Sequence, residues 1–275
     1  MSDNVAYCAD QVQEHDPDRF LTVMLAPMAR RGDLASLYAF NLEVAKTREA
    51  VSEGMIGDIR LQWWREAVEE CFSGGPVRRH AVAEALAETI RRYDLPRAPF
   101  DRLLDARAAD LDDEPPATLE GFDAYLDGTA TPLADLALSI LGIEAPDRVA
   151  AGRAAALAFA TIGQIRALPH LLRQRRHHLP SSLLDQHGVD RFALSEMRFH
   201  PALGQALVAL CEKGEGHILQ ARSVRPSDAY PVIALARIAD CYRRRLIRAG
   251  GNPFVPSIEK KPVLLPLLLM LDRII

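Results

Sequence analysis

The 275-residue chain has no closely spaced cysteines, no long unbroken apolar run and no strand-like alternation. Cys8, Cys71, Cys211 and Cys241 are scattered, which argues against a disulfide framework or a zinc site and suits a reducing compartment. The longest apolar run, residues 262–271, carries two prolines and is too short to cross a bilayer. Residues 1–18 are polar and acidic, without the apolar stretch of a signal peptide or the arginine-rich character of a transit peptide. No targeting signal is read there. The expected location is the cytoplasm, with peripheral contact at the inner face of the plasma membrane as an open possibility. A net charge of −4 gives no case for nucleic-acid binding. Hydrophobic residues at 49% and charged residues at 25% are ordinary for a soluble globular protein.

What the chain does have is helical periodicity nearly throughout. Asp33 reads as a cap before Leu34, Leu37, Tyr38 and Leu42. Leu61, Trp64, Val68, Cys71 and Phe72 recur at three- and four-residue steps, and Ser73-Gly74-Gly75-Pro76 ends that run. Further helices are expected over 79–93, 99–111, from Thr118 to a break at Thr131-Pro132, 133–141, 147–172, 201–222 and 231–248. No repeat or linker divides the chain. The expectation is one all-α domain over residues 1–275, with residues 1–18 as a mobile or loosely packed segment.

Several short motifs, in order, resemble the squalene/phytoene synthase family. They are Leu37-Tyr38-Ala39-Phe40, Leu61-Gln62-Trp63-Trp64-Arg65, Ala109-Asp110-Leu111 with Tyr125 and Gly128-Thr129, Leu141-Gly142, Gly163 with Arg173, and Leu179-Pro180. Each is weak alone; their order over residues 20–261 is specific. The resemblance implies an isoprenoid-synthase-like helical bundle around a central cavity, with residues 34–49 and 163–173 facing each other across it. It also implies cavity or ligand-binding candidates at Tyr38, Phe40, Glu49, Arg60, Trp64, Asp110, Tyr125 and Arg173.

The departures from that family matter more. Active members carry two aspartate motifs that bind Mg²⁺ and so hold the prenyl diphosphate. The first falls here on Ala45, Lys46, Thr47, Arg48 and Glu49, the second on Gln174 and His178 with Arg175 and Arg176 between. No catalytic residue, metal site or cofactor is therefore expected. Mg²⁺ enters only if the chain is a prenyltransferase with displaced ligands such as Glu43, Glu49 and Asp110.

Ala39-Phe40-Asn41-Leu42-Glu43, Val51-Ser52-Glu53, Ile56-Gly57 and Arg60-Leu61-Gln62-Trp63-Trp64 resemble a divergent branch, the mitochondrial complex I assembly factors of squalene/phytoene-synthase type. That likeness implies a non-catalytic assembly or binding factor whose partners are respiratory complex I subunits or assembly intermediates. Two alternatives stay open. One is a head-to-head prenyltransferase acting on farnesyl or geranylgeranyl diphosphate; the other is a lipid- or isoprenoid-binding module with ligand in the cavity.

Individual residues also have plainer readings. Trp63 and Trp64 suit a core, and His170, His177 and His178 a solvated basic turn. Arg173, Arg175 and Arg176 read equally as a solvated helix end or as a hold on a diphosphate or lipid phosphate. The leucines of 264–271 suit a closing core helix or a membrane contact.

Overall fold

The computed structural model describes residues 2–47, 54–112, 114–225 and 228–274. They form fourteen α-helices and one 3-10 turn, with no strand among the described residues. The helices are α1 (Asp3–His15), α2 (Pro17–Leu25), α3 (Met28–Ala45), α4 (Gly54–Ser73), α5 (Ala81–Tyr93) and α6 (Ala98–Arg107). After the 3-10 turn Ala108–Leu111 come α7 (Leu119–Leu141), α8 (Pro146–Arg173), α9 (Ser181–Gln186) and α10 (Arg191–Ser195). The chain closes with α11 (Pro201–Ala221), α12 (Tyr230–Arg248), α13 (Pro256–Glu259) and α14 (Leu265–Ile274).

Two apolar clusters share this bundle. One joins α1, α3, α4, α5 and α6 to the second half of α7. The other joins the first half of α7, through Phe122, Tyr125 and Leu126, to α8, α9, α11, α12 and α14. By length and composition α8 could cross a membrane, but more than half of its apolar stretch is buried inside the protein. Its apolarity serves packing against α7, α11 and α12.

Small residues set one of the tightest helix crossings. A Cβ placed on Gly128 of α7 would lie 2.6 Å from the Cβ of Ala106 on α6. Gly142 ends α7 at φ 76°, where its N–H and that of Ile143 turn back to the carbonyls of Ser139 and Leu138.

Three sequence expectations are corrected. Residues 1–18 are not a loose segment: residues 3–15 form α1, where Cys8 and Val12 are fully buried against the first cluster. Asp16 then caps α2 by accepting a hydrogen bond from the Arg19 N–H at 3.0 Å, with Pro17 at the first helical position. Polarity misled here because α1 buries only a narrow stripe. Asp33 does not start α3 but lies buried within it. The break at Thr131-Pro132 does not occur. Pro132 deletes one helical hydrogen bond, but residues 128–134 are buried throughout and packing holds the helix. The C-terminal leucine stripe divides: Leu265 and Leu269 are core, while Val263, Leu264, Leu267, Met270 and Leu271 are exposed.

The Gly128–Ala106 contact predicts that Gly128→Val destabilises the fold by about 1–3 kcal/mol, the usual cost of overpacking. Urea unfolding followed by circular dichroism measures it; an unchanged midpoint would show that α6 and α7 can separate freely.

Candidate functional site

The residues singled out in the sequence collect in three places. The first lies where the 3-10 turn, α7 and the 174–180 turn meet. Asp110 is 6% exposed there. Tyr125 donates its hydroxyl to Asp110 Oδ1 at 2.6 Å, and Arg107 Nη1 donates to Asp110 Oδ2 at 3.0 Å. His178 stands edge-on to the Tyr125 ring at 5.0 Å, its Nε2 3.9 Å from Asp110 Oδ1. Arg176 reaches in from the turn and donates to the Asp110 main-chain carbonyl at 3.1 Å.

Burial, then the Asp110 charge, pushes the Tyr125 phenol far above its ordinary value. Burial pushes His178 down, against the pull of Asp110. His177 falls further, to about 4, through burial and then the Arg191 charge. Arg107 Nε and His178 Nδ1 are buried without a hydrogen-bond partner.

Two cavities flank this cluster, sharing Glu114 and Pro115. One, of about 480 Å³, is lined by Ala109, Asp112, Gly121, Tyr125 and His178. The other, of about 510 Å³, lies beyond the end of α8 and is lined by Arg175, Arg176, His177 and Arg191 among others.

The second place is the seam of α3 and α4. Phe40 meets Trp64 edge-on at 5.4 Å, and Trp63, Trp64 and His80 stack edge-to-face around a cavity of about 180 Å³. Arg60 and Glu43 border it, 3.7 Å apart. Trp64 is core and Trp63 is only partly buried.

The third place was not foreseen. Arg19 of α2 sits between Tyr38 of α3 and Phe159 of α8, its guanidinium 5.7 and 5.0 Å from the two rings. Its charge is met by Asp16 at 2.6 Å. Nearby in sequence, Asp18 receives Arg166 Nη1 at 3.1 Å and the Tyr242 hydroxyl at 3.2 Å. The Arg166 guanidinium lies 3.4 Å from the centroid of the Tyr242 ring. Burial pushes the Tyr38 phenol up to about 12, against the pull of Arg19. Arg19 Nε, Asn41 Oδ1, Gln164 Oε1 and Arg166 Nε are buried without a partner.

The sequence grouped Tyr38 with Phe40, but two residues along a helix turn side chains to nearly opposite faces. Tyr38 meets Arg19, whereas Phe40 meets Trp64 and Phe100. Ala45 and Lys46 close α3 half-buried, and Glu49 lies outside the described residues. Arg173 and Gln174 are exposed at the end of α8, where Gln174 contacts His170 at 2.9 Å. The inward-facing arginine of α8 is instead Arg166. Of the four arginines in α8, Arg166 alone falls among Ile165, Leu168 and other buried residues, and that was the signal for it, since a buried charge demands a partner. That partner, Asp18, went unread because its segment was taken as loose.

A family model for squalene/phytoene synthase matches residues 12–267. The rat protein named NADH dehydrogenase (ubiquinone) complex I, assembly factor 6 is 28% identical over 273 residues, covering 98% of this chain and 82% of the rat one. A phytoene synthase of Arthrospira platensis is 25% identical over 149 residues, 53% of this chain and 47% of that one. Among solved structures, a dehydrosqualene synthase in complex with ligand superposes with TM-score 0.84 at 17% identity, covering 98% of this chain and 95% of that one.

The depressed His177 makes a signed prediction. Its folded pKa, about 4, lies below the unfolded value near 6.5. Above pH 6.5 both states are neutral and it contributes nothing. As pH falls from 6.5 toward 4 the unfolded chain gains a proton first, so stability is lost across that window. His177→Gln should flatten the fall in melting temperature between pH 6.5 and 4. Parallel curves for parent and variant would mean that His177 titrates normally.

Breaking the Asp110 cluster should be costlier. Asp110→Asn leaves Arg107 buried without its countercharge, and a loss of about 3–5 kcal/mol is expected in denaturant unfolding. A loss under 1 kcal/mol would show Arg107 able to reach solvent.

Proposed function

The chain belongs to the squalene/phytoene synthase family, and from that premise we propose that it works as a non-catalytic assembly or binding factor for respiratory complex I. One observation carries this reading: similarity to a complex I assembly factor runs over 98% of the chain, whereas the phytoene synthase match covers 53%. Its partners on this reading are complex I subunits or assembly intermediates, met in the cytoplasm or at the inner face of the plasma membrane.

The chemistry of the interior supports the reading. Four aspartates are buried among the described residues: Asp18, Asp33, Asp110 and Asp240. Each is bound by arginine. Arg166 holds Asp18, Arg92 holds Asp33 at 2.7 Å, Arg107 holds Asp110, and Arg222, Arg243 and Arg244 hold Asp240 at 3.0–3.2 Å. Mg²⁺ dehydrates reluctantly and takes carboxylates that are free to face it. Carboxylates already bearing guanidinium groups do not fit that role. Glu43, a displaced-ligand candidate, stands 3.7 Å from Arg60, and Asp110, the other described one, is locked by Arg107 and Tyr125.

The prenyltransferase reading keeps one specific observation in its favour, the partial likeness to phytoene synthase. Deleting the gene separates the two. The assembly role requires less assembled NADH dehydrogenase, with carotenoid or hopanoid content unchanged; normal NADH dehydrogenase with depleted isoprenoids would put the prenyltransferase first. In vitro, farnesyl or geranylgeranyl diphosphate with Mg²⁺ should give no coupled product. Turnover on the order of 1 s⁻¹ or faster would refute the non-catalytic assignment.

A further inference from the structure

We propose that the 510 Å³ cavity beyond the end of α8 binds a phosphate-bearing anion, with Arg175, Arg176 and Arg191 as the recognition residues. The cavity is separate from the one lined by Tyr125 and His178, with Glu114 and Pro115 as the shared wall. The inference does not depend on the complex I role.

The end of α8 supplies the first argument. The N–H groups of Arg175 and Arg176 turn back to the carbonyls of Leu172 and Leu171 at 2.9 and 3.1 Å. That turn requires a left-handed residue, and glycine is the usual occupant. Here the position holds Arg175 at φ 60°. A bulky side chain in that conformation costs on the order of 1 kcal/mol. Arg175 lines the cavity, and its side chain makes no ion pair or hydrogen bond among the described residues. A strained backbone thus presents a guanidinium that nothing among the described residues uses.

The other donors are held in place. Arg176 is fixed by the Asp110 carbonyl and by Gln174 at 3.2 Å. Arg191 is fixed by the Ser181 carbonyl at 3.1 Å and by Asp185 at 2.6 Å. A guanidinium carries five N–H groups, so both retain donors. His177 Nδ1 accepts the Leu179 N–H at 3.2 Å. With its pKa near 4 the ring is neutral at pH 7, so its proton sits on Nε2, making a further donor. Planar guanidinium forks match phosphate oxygens in pairs. Leu172, Leu194 and Pro115 add apolar wall, and Phe192, 66% exposed, follows Arg191 on α10. Glu114 and Glu196 also line the cavity, both exposed, and oppose the anion.

The phosphate has two possible sources, a soluble phosphate or a lipid headgroup. The full chain is titrated with inorganic phosphate by calorimetry, and floated with phosphatidylcholine vesicles with and without phosphatidylglycerol. Binding in either arm, weakened about tenfold or more by Arg175→Gly and by Arg191→Gln and tightened by Glu196→Gln, supports the site. The factor corresponds to losing one charge-assisted hydrogen bond. Arg175→Gly is the decisive variant because glycine accepts the turn without strain, so its melting temperature should equal or exceed the parent's. Phosphate binding alone identifies a soluble ligand. Binding only to phosphatidylglycerol vesicles identifies a headgroup. No binding in either arm, or equal affinity in parent and Arg175→Gly, overturns the proposal. A deletion strain with normal NADH dehydrogenase would overturn the assembly role and leave this site intact.

Discussion

The interior of this bundle depends on one interaction, the arginine that each buried aspartate holds. A carboxylate taken out of water costs several kcal/mol unless a countercharge and hydrogen bonds replace its hydration. Asp240 shows the balance. Burial works to raise its pKa, yet hydrogen bonds from Arg244, Arg243 and Arg222 hold it below the ordinary carboxylate range. Asp33 is met by Arg92, Tyr93 and Thr89, which fasten α5 to α3. Asp18, Arg166 and Tyr242 fasten α2, α8 and α12 to one another. These pairs fix the register between helices that apolar contact alone would leave freer to slide.

The same pairing bears on chemistry. At the four buried aspartates among the described residues, guanidinium groups occupy carboxylate oxygens, and their charge opposes a divalent cation at those oxygens. Arg19 extends the point. It stands between Tyr38 of α3 and Phe159 of α8, paired with Asp16. A side chain from α2 thus bridges α3 and α8. Arg19 Nε, Arg166 Nε, Asn41 Oδ1 and Gln164 Oε1, buried without a hydrogen-bond partner, keep that interior polar.

Much of the fold was legible because helical periodicity and family motifs pointed the same way. Residues 81–93, 146–173 and 230–248 fall within two residues of their expected bounds. What failed did so for local physical reasons. Pro132 was read as a break because propensity cannot see that both of its neighbours are packed. Residues 3–15 were dismissed because a helix with a narrow buried stripe looks polar. Among the candidates Asp110 and Tyr125 come together, whereas His178, expected in a solvated turn, packs on the Tyr125 ring instead. The site was illegible where charges pair across long separations, as Asp18 does with Arg166, 148 positions away. Spacing carries no information at that distance. Only the rule that a buried arginine must have a carboxylate pointed to it.

Arg175 is the counterexample that shows what the pairing rule leaves over. Stability alone would favour glycine at that turn. The chain places arginine there, although among the described residues it pairs every buried aspartate with arginine and caps α2, α7 and α10 with Asp16, Thr118 and Asp190. Asp94 and Met197 hold the same left-handed backbone, but of the three it is Arg175 that sets a cation against a cavity, and a cost taken there points outward, to a group the protein does not itself contain. The charge of Arg175 selects an anion, and the fixed forks of Arg176 and Arg191 beside it select one with several oxygens.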